Sequence, residues 1–336
     1  MIKILKNIIL LALSASITIT GMAMPVFAES AENTYISDIV CAEGTLKFTV
    51  SNLDVNSDKK NIKAYAAEYD ENSNVIGIAV KDVDVINSSE QISLDYNLHG
   101  NNKLKVFLWN SDMTPLAAAA ERAGSADIYV TISKEGSIVT SKNDEYIANK
   151  QVKVNDLNGD GRLNIDEALY AAHEQFYSGD GYASANTGYG LSISKLWGDE
   201  SYAFGYYVND KSAWSLDDEI KEGDCLKAFI YADKTGYSDK YSYFAEPFAS
   251  AKAGENITLS LTAEGFDENW NTVSMPYSGA SVKSADGTKI FGTTDENGEI
   301  TFAFDKAGVY TIIAESSEED DVKLVPAVIT VNVTAE

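Results

Sequence analysis

Cysteine and histidine are nearly absent from this chain: two of each in 336 residues. That scarcity excludes a disulfide scaffold and a His-rich zinc centre, and it leaves little material for a Ser-His-Asp triad. Cys41 and Cys225 each open a β-like run in what read as different domains, so both are expected as buried free thiols. Prolines number five, and no long biased tract occurs, which argues against disorder. Positive charge is the other shortage. Against 51 Asp and Glu stand 26 Lys and Arg, for a formal charge of −25. So acidic a chain repels nucleic acid and anionic lipid surfaces, and concentrates cations near itself. No Gly-x-Ser-x-Gly elbow, phosphate loop or dinucleotide fingerprint is present, so no catalytic residue is assigned and no enzyme is expected.

Long apolar runs are missing too, except at the start. Lys3 and Lys6 precede a run from Ile8 to Leu13 that thins out towards Ile19, and Val26-Phe27-Ala28 supplies small residues suited to cleavage. Residues 1–28 read as a secretory signal peptide, whose removal takes away two lysines and makes the chain more acidic. No later run approaches the ~20 residues that span a bilayer. The expectation is a secreted, extracellular protein, in some way associated with the cell surface, with no transmembrane segment after cleavage. No Leu-Pro-x-Thr-Gly sorting motif appears, so any surface attachment is expected to be non-covalent or through a partner.

What is present centres on residues 156–167, Asp-Leu-Asn-Gly-Asp-Gly-Arg-Leu-Asn-Ile-Asp-Glu. A twelve-residue calcium loop needs oxygen ligands at positions 1, 3, 5, 7, 9 and 12 and a glycine at 6. Asp156, Asn158 and Asp160 fill the first three, the Arg162 carbonyl the fourth, Asn164 the ninth and Glu167 the last, with Gly161 at the sharp turn. Ca2+ is therefore the expected cofactor. The loop resembles an EF-hand, but Gln151–Val154 before it alternates like a strand, whereas Ile165, Leu169, Ala172 and Phe176 after it keep helical spacing. Dockerins share the Asp-x-Asn-x-Asp-Gly pattern in tandem, and here there is one loop.

The fold class expected is mainly β and multi-domain. Residues 29–120 read as a β-sandwich: Leu46-Phe48-Val50 alternates, and Ala64–Tyr69 and Val75–Val80 flank a turn. The hairpin and the later Lys105–Trp109 strand resemble a β-sandwich module of secreted and surface proteins of Clostridia-like bacteria. Residues 127–248 carry Phe204-Gly205-Tyr206-Tyr207-Val208-Asn209-Asp210, then Gly223-Asp224, then a strand ending at Tyr231. This resembles the transcobalamin-like C-terminal domain, and the resemblance implies a small β-grasp-like α+β fold with one helix after the calcium loop. In that family a corrinoid lies against a helical barrel, which this chain lacks. Residues 249–336, with Thr294-Asp295…Gly298 at a hairpin turn and Ala307-Gly308-Val309-Tyr310-Thr311-Ile312, resemble a bacterial immunoglobulin-like module.

The middle region is dense in aromatics. Tyr182, Tyr189, Trp197, Tyr206 and Trp214, with neighbouring Gly, Ser and Asn, suit a flat-ligand platform for a glycan, cell-wall or corrinoid ligand. The same residues also suit the core of a small sheet, and His173 suits a helix edge. Asp180–Gly190 reads as a loop. The functional expectation is a non-catalytic, calcium-stabilised binding or adhesion protein; the alternative is small-ligand capture on the aromatic face.

Overall fold

The computed structural model describes residues 34–42, 44–53, 62–70, 73–83, 89–99, 102–122, 124–158, 160–188, 190–266, 272–317 and 320–335. The proposed signal segment 1–28 lies outside the described residues. The protein is mainly β, built of several sheets, with one helix among the described residues. None of its described helices is long and apolar enough to cross a membrane. The chain divides into two compact units, residues 1–125 with 155–163, and residues 126–154 with 164–336.

The first unit holds two antiparallel sheets. One has the order Tyr35–Ala42, Thr45–Ser51, Ser89–Asp95; the other has the order Val75–Val83, Ile62–Tyr69, Lys103–Trp109, Ala120–Arg122. Alternation explains the first: Leu46, Phe48 and Val50 are buried and Lys47 is exposed, so one face meets the core and one meets water. In the second sheet the Ile62–Tyr69 strand is buried on both faces. Ala64 and Ala66 join the core with Leu46, Phe48 and Leu108. Tyr65, Ala67 and Tyr69 form a second cluster with Phe107 and Trp109. Trp109 is therefore a core residue, 5.0 Å from the Tyr65 ring. Glu68 is fully buried on the same strand. Its carboxylate accepts hydrogen bonds from Tyr96 Oη, His99 N, His99 Nδ1 and Asn102 Nδ2. Burial alone would raise its pKa, but these donors offset it and hold the carboxyl below its ordinary value.

The second unit begins with a mixed sheet in the order Lys150–Asn155, Ser125–Lys134, Cys225–Ile230, Phe204–Val208, Lys211–Ser212. Ser125–Lys134 and Cys225–Ile230 run parallel, Val130 opposite Leu226, with the helix Ile165–Phe176 in the connection between them. The helix buries Ile165, Leu169, Ala172 and Phe176, the spacing read from the sequence. His173 is buried as well, not at an edge: Nδ1 donates to Leu169 O and Nε2 accepts from Trp197 N, which fixes the neutral tautomer. Burial pushes its pKa down to about 4. The Asn209-Asp210 turn has both residues at positive φ, +50° and +57°, the backbone of a two-residue hairpin. The expected loop at 180–190 contains instead an antiparallel hairpin, Ala183–Thr187 with Gly190–Lys195. Gly190, at φ +102°, sits at the turn rather than breaking strands.

The remaining strands form two five-stranded sheets around one core that includes Leu259, Leu261, Val282, Phe304, Ile312 and Ile329. The strand Lys240–Phe244 pairs with Asn256–Phe266 and with Leu324–Val325. One sequence expectation is corrected here. The Thr294–Glu299 turn is not a hairpin. Ile290–Thr293 lies in one sheet and Glu299–Ala303 pairs with Asn256–Phe266 in the other. The physical reason is local: Leu261 N donates to Gly298 O, drawing the chain across to the second sheet. The thiols Cys41 and Cys225 are free, as expected, but half-buried rather than buried.

Candidate functional site

The twelve-residue loop begins where the Lys150–Asn155 strand ends, and the chain passes from the first unit to the second between Leu163 and Asn164. In the first stretch every Asx side chain is used to turn the backbone. Asp156 Oδ2 accepts from Gly161 N at 3.0 Å, Asn158 Oδ1 from Asp160 N at 2.8 Å and Asp160 Oδ1 from Arg162 N at 2.8 Å. Gly161 has φ +86°, and a Cβ there would lie 2.2 Å from Ile39 O, so this position demands glycine twice over. Gly159 lies outside the described residues. Asn158 and Asp160 are exposed, and the Arg162 guanidinium faces Asp38 at 3.6 Å. In the second stretch Asn164 and Glu167 make a capping box: Asn164 Oδ1 accepts from Glu167 N, and Glu167 Oε2 accepts from Asn164 N.

One residue of this site was not singled out in the sequence. Arg122 is 3% exposed and its Nη2 meets Asp156 Oδ2 at 2.5 Å, while Nε and Nη1 have no partner among the described residues. Asp156 is thus a buried carboxylate facing a fixed positive charge. Among the described residues, no three His, Cys, Asp or Glu side chains are grouped so as to hold a metal ion.

The five aromatic candidates do not share one environment. Tyr182 is half-buried, and its hydroxyl donates to Asp166 Oδ1 at 2.6 Å. Burial and the Asp166 charge push its pKa far above the ordinary range. The Trp197 ring is half-buried and packs edge-on against His173 and Tyr177, both 5.0 Å away. Tyr206 is half-buried. Trp214 is 91% exposed, its backbone N–H donating to Asp218 Oδ2. Tyr189 lies outside the described residues.

A second cluster went unread in the sequence. On the Cys225–Ile230 strand, Cys225, Lys227 and Phe229 alternate onto one face. Lys227 is buried: Nζ donates to Ser242 O at 2.8 Å, lies 4.4 Å above the Tyr241 ring and stands 3.8 Å from Asp210 Oδ1. Tyr241 Oη donates to the same Asp210 oxygen at 2.6 Å. The Tyr241 ring stacks on Tyr207 at 3.6 Å, and Tyr207 Oη donates to Glu264 Oε2 at 3.1 Å. Burial lowers the Lys227 pKa to about 8 and, with Asp210 nearby, raises that of Glu264. Burial also pushes the Cys225 thiol up to about 11, away from reactivity. The signal for this cluster was a lysine interrupting an apolar run.

No family model matches the chain, and no curated protein matches it. Solved structures similar to it are distant. The fibronectin(III)-like modules of Clostridium thermocellum CbhA are 10% identical over 87% of this chain and 86% of that one, at a TM-score of 0.23. Trypsin-activated alpha-2-macroglobulin from Escherichia coli is 10% identical over 93% of this chain, at a TM-score of 0.31. The chain spans 24% of that structure's length, and 22% of the length of an endonuclease/exonuclease/phosphatase from Beutenbergia cavernae at a TM-score of 0.18.

Proposed function

We propose that this is a secreted or cell-surface protein without catalytic activity, stabilised by Ca2+ bound at residues 156–167, and working as a binding or adhesion module. The observation that carries this reading is the ligand spacing itself: Asp156, Asn158, Asp160, the Arg162 carbonyl, Asn164 and Glu167 supply only oxygen, the donor calcium takes. The Asx turns and the capping box support it, because each keeps its side chain beside the loop backbone. The net charge of −25 favours a divalent cation over any anionic partner. On this reading the loop is of EF-hand type, and the protein's modules belong with those of Clostridia-like surface proteins. The middle sheet is of the transcobalamin-like kind.

Calcium binding to the folded protein alone stabilises it by about 2.7 kcal/mol at a hundredfold excess over Kd. The test is thermal unfolding with calcium and with chelator, for the native chain and for Glu167→Gln. A calcium-dependent rise in melting temperature should be present in the first and lost in the second. An equal rise in both removes the loop from the site.

A second reading rests on Trp214, whose exposed ring is available to a flat ligand. It makes the protein a capture module for a corrinoid or glycan. Titration with cobalamin and cobinamide in millimolar calcium, followed by absorbance, decides it: saturable one-to-one binding supports capture, and an unchanged spectrum removes the corrinoid.

A further inference from the structure

The buried lysine of the second unit has more around it than an ion pair needs. We propose that Lys227 Nζ and the Asp210 side chain condense to an intramolecular amide, a covalent staple between the Asn209-Asp210 turn and the Cys225–Ile230 strand, with Glu264 relaying the proton.

Each part of the reaction has a group on the page. The nucleophile is held in place: Ser242 O anchors one N–H of Lys227 and the Tyr241 ring covers the amine, leaving Nζ 3.8 Å from Asp210 Oδ1. The electrophile is polarised: the Tyr241 hydroxyl donates to that same oxygen at 2.6 Å, where negative charge grows as nitrogen attacks. The proton relay is a carboxyl held against the stacked tyrosine pair by Tyr207 Oη, and burial favours its protonated form. The water released has a way out, because the Asp210 side chain is 32% exposed while that of Lys227 is 10% exposed. A cavity of about 20 Å3 lined by Thr131, Asn149, Cys225 and Lys227 has room for about one water.

The balance closes without an added reagent. Proton transfer within the pair turns ammonium and carboxylate into amine and carboxylic acid. The amine lone pair forms a C–N bond at Asp210 Cγ, and the C–O bond to the hydroxyl breaks. Glu264 gives its proton to the departing oxygen and regains one from the nitrogen, and one water leaves. In bulk water the reverse reaction prevails. Here condensation removes two charges from a poorly solvated site, and that desolvation cost drives it forward. The staple would do for this unit what cystine does in other extracellular chains, since both cysteines of this protein are free.

The experiment is a tryptic map of the folded full chain by tandem mass spectrometry, with Lys227→Arg and Glu264→Gln alongside. Peptide 196–211 should appear joined to 222–234, lighter by one water than the two together, with no cleavage after Lys227. The loss should vanish in Lys227→Arg, which keeps the charge, and the joined peptide should fall at least tenfold in Glu264→Gln. Cleavage after Lys227 with both peptides at full mass overturns the proposal. So does a water loss that persists in Lys227→Arg, which would mark an Asp210-Lys211 succinimide. Undiminished joining in Glu264→Gln overturns the assigned relay.

Discussion

Replacing Arg122 by methionine tests the reading of the loop at its most exposed assumption. Arg122 and Asp156 are 3% and 6% exposed, and the guanidinium is the charge that Asp156 faces. Removing one member of a buried pair costs about 3–5 kcal/mol, because the other charge stays buried without its partner. Two terms reduce this. Gly161 N still donates to Asp156, and the unpartnered Nε and Nη1 donors disappear with the arginine. Each such donor had cost ~1 kcal/mol or more, so the expected net loss is about 1–3 kcal/mol. Hydrogen exchange at the Leu104 to Leu108 amides reports the opening of this unit alone, which a global melt of a two-unit chain does not. With chelator present, the Arg122→Met protein should lose those kilocalories, and Arg122→Met/Asp156→Asn should regain most of them. If calcium binds the loop, the ion replaces the missing positive charge, and the single variant should lose at least about 1 kcal/mol less in calcium than in chelator. A single variant within about 0.5 kcal/mol of the native protein under both conditions refutes the buried-pair argument. A loss that is the same with and without calcium refutes the proposed ligand role of Asp156.

The remaining predictions concern the second unit. His173 titrates at about 4 when folded against an ordinary 6.5, so the unfolded chain holds more protons between those values. Stability is then complete above pH 6.5 and falls as pH drops to about 4, by about 3 kcal/mol from this group. Urea unfolding of His173→Gln, followed from pH 7 to pH 4, should show a shallower decline than the native protein; equal slopes would put the lost stability on other groups. Trp214→Ala should leave stability within about 0.5 kcal/mol, because 91% of the residue is already in water, and should remove a readily quenched tryptophan fluorescence. A marked fall in stability would show that the ring is part of the fold and unavailable as a ligand platform.

The alternation of Leu46, Phe48 and Val50, and the 3.6-residue spacing of Ile165, Leu169, Ala172 and Phe176, were legible because side-chain period is a local property. The pairing of Ser125–Lys134 with Cys225–Ile230 was not, since the partners lie far apart in sequence and nothing local encodes a parallel register. For the same reason the turn at Thr294–Glu299 read as a hairpin: turn chemistry reports that the chain reverses, not which sheet receives the next strand. In the loop, the ligand pattern could be read but the guanidinium against Asp156 could not, because Arg122 lies 34 residues upstream in an unremarkable Glu-Arg-Ala stretch.

Buried cations carry unusual information in this chain because cations are scarce. With 26 basic residues against 51 acidic ones, the surrounding field favours every Lys and Arg in its charged form and at the surface. Arg122 and Lys227 are buried all the same, each facing an aspartate. The two are not equivalent. Arginine does not give up its proton, so Arg122 can act only as a fixed counter-charge, a role in which calcium can assist or compete. Lysine can give up its proton when desolvated, and burial has already brought Lys227 down to about 8. Exchanging the two residue types separates the roles. Lys227→Arg should keep the ion pair and abolish the amide, whereas Arg122→Lys places a lysine beside a second buried aspartate, outside the Tyr241 and Glu264 setting, and should form no new bond. A water loss appearing in Arg122→Lys would mean that burial of a Lys-Asp pair suffices for condensation, and that the tyrosine and glutamate around Lys227 are incidental.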